Sequence, residues 1–310
     1  MKPSHQVMVS VRIITYNQEQ YIEQCIRSVL EQKTNFFFEI VIGDDGSSDQ
    51  TSIICDQLKK EYPQIIRHNI RDRNLLEREK YSPPWRYNWL KTLEECNGKY
   101  IALLDGDDYW TDPYKLQKQV DFLRNNPNYS MCFHDVQKIQ GNNEKEVMKP
   151  QKLKKFFDTK DILINNGKEM ATCSLLLNAD LLKKIPQLFL EAPVFDFPLK
   201  LFYSEFGYIG YLPESMAVYR YQTQNSWSAK KQTAIEEHYV KMKSFLNEYL
   251  KWTKMKNKKY IKKNCSIRKA EYIRIKIENS DNMNEKLNLL VRNIFSYNIF
   301  YTLINIKKIL

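Results

Sequence analysis

The feature that most constrains the fold is a regular alternation of short apolar segments with amphipathic ones between residues 7 and 139. Five segments are rich in β-branched and aromatic residues and end in turn-forming residues: VMVSVRIIT, FFFEIVIG, QIIRHNI, YIALLDG and YSMCFHDVQKI. The stretches between them repeat their apolar residues at helical spacing. Strands that are almost continuously apolar are typical of a sheet covered on both faces. The alternation therefore predicts an α/β fold with a mostly parallel sheet.

Two of the intervening helices have recognisable starts. The segment QTSIICDQLKKEY follows Ser48 and Asp49, and either residue can cap the helix. Its apolar residues are predicted to share the core face: Ile53, Ile54 and Leu58. In TDPYKLQKQVDFLRNNP, Thr111 or Asp112 is the predicted cap, and Pro113 is expected at the first helical position.

Polar clusters follow three of the predicted strands, at residues 15–17, 44–49 and 105–108. The carboxyl ends of parallel strands meet at one edge of a sheet, which is where ligands of such sheets bind. The last cluster places Asp105, Asp107 and Asp108 within four positions. Carboxylates this close repel one another unless a positive charge compensates them. We therefore expect a ligand site at this edge of the sheet.

Positive charge is concentrated near the C-terminal end. Residues 230–310 contain 19 of the 48 Lys and Arg residues but only 7 of the 37 Asp and Glu residues. The sequence therefore predicts two domains, 1–229 and 230–310, of which the second is a basic helical region. Its apolar helical faces fit either packing on the first domain or peripheral contact with an anionic membrane. Nucleic acid is not an expected partner, because no recognised binding motif accompanies the charge.

The predicted location is cytoplasmic, with peripheral contact at the inner face of the cytoplasmic membrane as a further expectation. No apolar run reaches the length of about eighteen residues that a membrane span needs. The N-terminus MKPSHQVMVSVRIITYN enters a strand pattern directly and lacks the features of a signal peptide. The six cysteines form no CxxC pair, which favours reduced thiols.

Four segments together resemble the successive motifs of family-2 glycosyltransferases: VSVRIITYNQEQYIEQCIRSVLEQ, EIVIGDDGSSDQT, GKYIALLDGDDYWTDPYKLQKQ and AVYRYQTQNSWS. These are inverting enzymes of the GT-A fold, and the resemblance covers residues 7–228. It implies transfer of a sugar from a nucleoside-diphosphate donor to a hydroxyl of a glycan or lipid-linked acceptor, in cell-envelope polysaccharide synthesis. Two alternatives are a non-catalytic protein of the same fold that binds sugar nucleotide or glycan, and a nucleotidyltransferase.

The resemblance assigns a divalent cation, Mg²⁺ or Mn²⁺, to the DGDD motif. Asp107 is the implied metal ligand, Asp105 is expected at the ribose and as a second hard oxygen ligand, and Asp108 is expected to assist nucleotide-sugar binding. One departure affects the metal site. The family commonly has a His that can bind the metal where this chain has Gln222, whose amide oxygen is a weaker ligand for Mn²⁺.

The nucleotide is implied to bind at the ends of the first two strands. In the family the second Asp of DDGSSD accepts the N3–H of uracil, which is Asp45 here and favours a uridine or thymidine nucleotide. Thr15 and Tyr16 are the predicted base contacts, and Asn17 completes the nucleotide-sugar cluster. The family often places a phosphate-facing arginine between the third and fourth strands: Arg86 or Arg78 here, with a solvated arginine as the alternative.

An acceptor hydroxyl needs a general base that removes its proton. The family's base is an Asp on a short helix, and Asp196 in APVFDFPLKLFYSEFG matches that place. Its aromatic and proline neighbours predict an apolar enclosure suited to sugar stacking. Glu191 and Glu205 are the competing candidates.

Overall fold

The computed structural model describes residues 6–81, 85–140, 144–151, 154–221, 235–280, 282 and 288. Its strands are β1 (Val9–Thr15), β2 (Phe38–Asp44), β3 (Ile66–Ile70), β4 (Tyr100–Asp105), β5 (Tyr109–Trp110), β6 (Tyr129–Gln140), β7 (Glu144–Met148), β8 (Phe156–Phe157), β9 (Leu176–Asn178) and β10 (Tyr208–Tyr221). Its helices are α1 (Ile22–Leu30), α2 (Thr51–Glu61), α3 (Trp85–Glu94), α4 (Lys115–Asn125), α5 (Thr159–Asn165), α6 (Ala179–Leu182), α7 (Gln187–Leu190), α8 (Asp196–Ser204), α9 (Ile235–Trp252) and α10 (Lys258–Asn279). Short 3₁₀ helices lie at Leu76–Lys80 and Thr172–Ser174.

The strands form one mixed sheet in the order β3-β2-β1-β4-β9-β6-β10-β5, with β7 paired to β6 and β8 to β10. The first four strands of this order are parallel, and β6 and β10 are also parallel to each other. The short β9 lies between the two halves and is antiparallel to both β4 and β6. The predicted α/β class with a mostly parallel sheet is confirmed.

The sheet register brings the predicted strand ends together. Thr15 lies opposite Asp44 across the β1–β2 pair, and Ile14 lies opposite Asp105 across the β1–β4 pair. Since β1 lies between β2 and β4, the polar clusters after these three strands share one edge of the sheet.

The core of this region lies between the sheet and its covering helices. The fully buried side chains of α1 pack on one face of β1 and β2, and they include Ile22, Cys25, Ile26 and Val29. Each aliphatic side chain of this kind contributes about 1.5–3 kcal/mol to folding when fully buried. The opposite face of the sheet receives α3. A Cβ atom on Gly43 would lie 1.9 Å from Thr92 Oγ1, so only glycine permits this approach.

Two sequence predictions about helices were wrong. In α2 Leu58 is buried and Ile54 packs against the core as predicted, but Ile53 is 51% exposed, and Thr51 and Cys55 are buried instead. In α4 the first helical residue is Lys115 and not Pro113. Asp112 explains the later start, because its carboxylate accepts from Tyr114 N–H at 2.8 Å and its carbonyl from Lys115 N–H at 3.2 Å.

The chain divides into two compact units: residues 1–187 with 196–229, and residues 188–195 with 230–310. The main division falls near residue 230, and residues 188–195 belong to the second unit. In the second unit, Tyr239 of α9 stacks on Tyr272 of α10 with ring centroids 5.0 Å apart. Phe189 packs edge-on against Phe245 at 5.6 Å. Among the described residues, no helix is both long and apolar enough to cross a membrane.

Candidate active site

Asp45 lies just beyond β2, between two arginines. Its Oδ1 atom accepts a hydrogen bond from Arg78 Nη2 at 2.6 Å, and Arg73 Nη2 lies 3.8 Å from its Oδ2 atom. Its backbone N–H donates to the carbonyl of Thr15 at 2.9 Å, which fixes it beside the end of β1. The Asp45 side chain is 8% exposed. Burial raises the pKa of Asp45, and the two arginines oppose that rise.

The neighbouring Asp44 has a structural role. Its Oδ1 atom accepts from the backbone N–H of Ser47 at 2.9 Å and from the Ser47 hydroxyl at 2.6 Å, and its Oδ2 atom accepts from the Ser52 hydroxyl. Burial alone would raise the pKa of Asp44, but His68, Ser47 and Ser52 together lower it below its usual value. Asp44 therefore closes the turn that presents Asp45.

The end of β1 supplies an aromatic surface and a link between two loops. The guanidinium of Arg73 lies 4.0 Å from the centroid of the Tyr16 ring, a cation–π contact beside Asp45. Asn17 adopts a positive φ of 50°, which asparagine tolerates better than most residues. Its amide oxygen accepts from Ser48 N–H at 2.8 Å, so Asn17 joins the loop after β1 to the loop after β2.

The DGDD turn after β4 packs closely on the loop after β1. A Cβ atom on Gly106 would lie 2.5 Å from Gln18 Oε1 and 2.8 Å from Thr15 Oγ1, so glycine is required there. Thr15 donates its hydroxyl hydrogen to Gln18 Oε1 at 2.8 Å. Thr15 is 4% exposed, and Asp107 is 7% exposed.

Asp108 is fully buried beneath the turn. Its Oδ1 atom accepts from the backbone N–H of Arg220 at 2.8 Å, and the Arg220 side chain donates to the carbonyl of Asp107 and, at 2.5 Å, to Gln24 Oε1. Burial, Asp107 and Asp105 raise the pKa of Asp108 well above its usual value. Asp108 thus attaches the turn to the end of β10, and its predicted part in nucleotide-sugar binding would be indirect.

Asp105 lies within the electrostatic reach of Arg12 and Asp196. Burial, Asp107 and Asp196 raise the pKa of Asp105 to about 7, against the lowering effect of Arg12. Arg12 is fully buried in β1, and its Nη2 atom is 3.9 Å from Asp105 Oδ1. The charges of Arg12, Asp107 and Asp196 therefore all act on Asp105.

Asp196 begins α8, and its side chain is exposed. The expected apolar enclosure of Asp196 was wrong, because Phe197 and Pro198 beside it turn into the core while the carboxylate does not. Glu205 follows the opposite end of α8, and Glu191 belongs to the second unit. Of the three candidate bases, Asp196 is the one whose charge acts on Asp105.

The sequence predicted Arg78 or Arg86 as the arginine of the donor site and gave no role to Arg73 or Arg12. Arg86 is 4% exposed, with its guanidinium 5.9 Å from the Trp85 ring, whereas Arg78 contacts Asp45 directly. Motif spacing offered no signal for Arg73. The signal for Arg12 was its charge inside an otherwise apolar strand.

The oxygen atoms at the DGDD turn suit a hard divalent cation. Asp105 has a buried Oδ1 atom, but the rest of its carboxylate is accessible, and the charge of Asp107 acts on it. In the part of the chain that the structure describes, no three His, Cys, Asp or Glu residues form a metal-binding group. Mg²⁺ is commonly held by one or two carboxylates together with substrate phosphates, so this pair fits the ion. Gln222 lies outside the described residues.

Comparison with known proteins assigns the family. The model of glycosyl transferase family 2 matches residues 10–185, more than half of the chain. The chain belongs to this family. An uncharacterized protein of Mycobacterium tuberculosis is 32% identical over 224 residues, which are 71% of this chain. The chain spans 60% of the length of that mycobacterial relative.

Two further comparisons show similar proteins. It is 37% identical over 116 residues to TuaG of Bacillus subtilis, which is named as a teichuronic acid biosynthesis glycosyltransferase. The match covers 37% of this chain and 42% of that protein. S. aureus TarS 1-349, solved in complex with UDP-GlcNAc, aligns with a TM-score of 0.61 at 17% identity, over 95% of this chain and 83% of that chain. At this identity the structural likeness supports the fold alone.

Proposed function

We propose that the protein transfers a sugar, with inversion, from a UDP- or dTDP-linked donor to a hydroxyl of a glycan or lipid-linked acceptor in cell-envelope polysaccharide synthesis. The observation that carries the proposal is the placement of Asp45 between Arg78 and Arg73, beside the turn that holds Asp105 and Asp107. The relative named for teichuronic acid biosynthesis supports the envelope context.

The Asp45 group matches the edge of uracil or thymine. These bases present an acceptor, a donor and an acceptor in the order O4, N3–H and O2. Arg78 and Arg73 lie on either side of the Asp45 carboxylate, so the arginines offer two donors and the carboxylate between them offers the acceptor. Cytosine has no N3–H, and guanine presents two adjacent donors, so each leaves part of this edge mismatched. Tyr16 lies beside this group, with its ring centroid 4.0 Å from the Arg73 guanidinium, and is proposed as a further contact of the base.

The carboxylates of the DGDD turn are proposed to hold Mg²⁺ or Mn²⁺, with Asp107 and Asp105 as the protein ligands. A cation held there would stabilise the negative charge that develops on the departing diphosphate. Asp107 and Asp105 position this charge beside the nucleotide, because their turn packs on Thr15 at the end of β1. Gln222 and Arg86 stay predicted contributors to the donor site.

Asp196 is proposed to accept the proton of the acceptor hydroxyl as it attacks the sugar. Its exposure allows an acceptor to reach the carboxylate, and its charge acts on Asp105 from the side of α8. A base must lie within hydrogen-bond reach of the hydroxyl, and an exposed helix start leaves room for that approach.

The test of this function is a thermal-shift screen of sugar nucleotides with Mg²⁺ and Mn²⁺, followed by detection of the transfer product. A bound donor raises the unfolding temperature by mass action. We expect stabilisation by UDP- or dTDP-sugars that depends on the metal, and a product of inverted anomeric configuration. Binding without any product would favour a non-catalytic sugar-nucleotide binding protein instead.

A further inference from the structure

Arg12 is a charged residue at a buried position of β1. It lies in the middle of β1, opposite Val41 on β2 and Leu103 on β4, and it is fully buried. Its partners on the same face of the sheet, Val41 and Leu103, are buried aliphatic residues. A buried guanidinium carries a large desolvation penalty unless charges and hydrogen bonds compensate it.

The compensation of Arg12 comes from the candidate site. Burial lowers the pKa of Arg12, and the carboxylates of Asp105 and Asp196 oppose that lowering. Its guanidinium lies 5.0 Å from the centroid of the Trp89 ring, which holds it on the α3 side of the sheet. Side chains alternate between the two faces of a strand. Arg12 is paired with Leu103, and Asp105 lies two positions further along β4, so the side chains of Arg12 and Asp105 lie on the same face of the sheet.

Arg12 and Asp105 form an ion pair that is too long for a hydrogen bond. Nη2 of Arg12 lies 3.9 Å from Oδ1 of Asp105, longer than the 2.7–2.9 Å of a charge-assisted hydrogen bond. Among the described residues neither this oxygen nor any of the three guanidinium nitrogens has a hydrogen-bond partner. A small rotation of either side chain would close the gap. The Asp105 side chain is 34% exposed although Oδ1 is buried, so the rest of the carboxylate faces the site.

We propose that Arg12 is a positioning residue for Asp105. It anchors Oδ1 from beneath the sheet edge and leaves the other carboxylate oxygen directed at the donor. Because Arg12 lies under the turn and does not reach the edge itself, it acts on the donor only through Asp105. This inference rests on the proposed function, in which Asp105 contacts the nucleotide-sugar donor or its metal.

The test is a double-mutant cycle on UDP binding in the presence of Mn²⁺, using R12M, D105N and the double variant. If Arg12 acts through Asp105, each single change should weaken binding by about tenfold, and the double variant should bind no more weakly than D105N. R12K keeps a positive charge and should recover part of the affinity. Multiplied losses in the double variant, or wild-type affinity in R12M, would overturn the proposal.

The matched control is S10A. Ser10 lies on the same face of β1 and donates a buried hydrogen bond to Glu39 at 2.6 Å, but it does not contact the site. We expect S10A to lower the unfolding midpoint while its UDP affinity stays within about twofold of wild type. R12M should lower both the unfolding midpoint and the UDP affinity. If S10A weakens UDP binding as much as R12M, general destabilisation explains Arg12 and the proposal fails.

A second cycle, on urea unfolding of the free protein, separates this inference from the proposed function. R12M leaves a carboxylate without its counter-charge, so removing Asp105 as well should restore stability relative to R12M. If wild-type protein binds no uridine or thymidine nucleotide, the proposed function fails while this cycle still tests the pair. Additive losses of stability would show that Arg12 and Asp105 are not coupled. If R12M does not fold, R12K and R12K/D105N serve in both cycles with the same expected signs.

Discussion

At the scale of single residues, the candidate site combines carboxylates at strand ends with arginines from a long connection. Asp45, Asp105 and Asp107 lie at or just beyond the ends of β2 and β4, so strand order and register are enough to bring them to one edge of the sheet. Arg73 and Arg78 reach Asp45 from a long connection between β3 and α3, and nothing in their spacing indicates the direction of their side chains. A long flexible side chain is placed by tertiary packing, which a sequence pattern does not contain.

Asp107 is the predicted ligand of the divalent cation. D107N should remove metal-dependent UDP binding and abolish transfer, because an amide is a much weaker ligand for a hard cation than a carboxylate. Calorimetry with UDP, with and without Mn²⁺, measures the effect. The control is D121N, which alters an exposed carboxylate on α4 that accepts from Gln117 at 2.9 Å and should change neither quantity. Normal turnover in a folded D107N protein would remove Asp107 from the metal site.

Asp196 is the predicted general base. D196N should keep UDP affinity and lose about two to four orders of magnitude in kcat, the usual contribution of a general base. Steady-state kinetics beside nucleotide calorimetry separates the two effects. E205Q changes the carboxylate after the other end of α8 and should leave both unchanged. If D196N turns over normally and E205Q does not, the base is Glu205; loss of UDP binding in D196N would move Asp196 to the donor site.

At the scale of elements, strands were predicted more accurately than helix faces. The apolar runs of β1, β2 and β4 indicate burial on both sides, and the structure buries them. The amphipathic pattern of α2 includes Ile53 and Cys55 on different faces, and the smaller Cys55 is the buried one. Contact with α1 and β3 selects that face, and this contact depends on tertiary structure.

Helix α4 contains a buried lysine that makes stability depend on pH. Lys115 is fully buried, donates to Gln119 Oε1 at 2.8 Å and lies 3.9 Å from the centroid of the Trp110 ring. Burial lowers the pKa of Lys115 to about 7, below its value in the unfolded chain. The unfolded chain therefore binds more protons between the two pKa values, and stability should rise with pH across that interval.

The change that tests this is K115M, compared with wild type in urea unfolding between pH 7 and pH 8.5. The wild-type protein should gain up to about 1.4 kcal/mol per pH unit relative to K115M, because methionine does not titrate. Measuring the difference between the two proteins cancels the titration of groups that both retain. A difference that stays constant with pH would show that the Lys115 amine is protonated in the folded protein.

At the scale of the whole molecule, the chain divides into two compact units. The second unit contains most of the excess positive charge, and the described part of it is helical. Composition indicated a helical region, but it did not indicate that residues 188–195 belong to this unit. That segment is short and interrupts an otherwise continuous first domain, so no compositional change marks it.

Membrane contact by the second unit is a prediction about four exposed lysines of α10: Lys258, Lys259, Lys262 and Lys263. Each cation near an anionic membrane surface contributes about 1 kcal/mol, and screening limits its reach to about 8 Å at physiological ionic strength. We expect the wild-type protein to float with anionic liposomes at low salt, and the variant with all four lysines changed to glutamine to remain in solution.

The control for this experiment changes four exposed lysines of the first unit to glutamine: Lys59, Lys60, Lys183 and Lys184. This variant has the same net charge as the α10 variant and should float like wild type. Equal flotation with neutral and anionic liposomes, or equal loss in the two variants, would show that α10 is not the membrane contact.

The group formed by Asp45, Arg78 and Arg73 is proposed to recognise uracil or thymine at the donor site through hydrogen bonds. Calorimetric titration with UDP, dTDP, CDP and GDP at one concentration of Mn²⁺ measures it most directly. Mismatched polar groups at a buried site cost about 1–3 kcal/mol each, so UDP and dTDP should bind at least about tenfold more tightly than CDP and GDP. Equal affinities, or tighter binding of CDP or GDP, would contradict the claim.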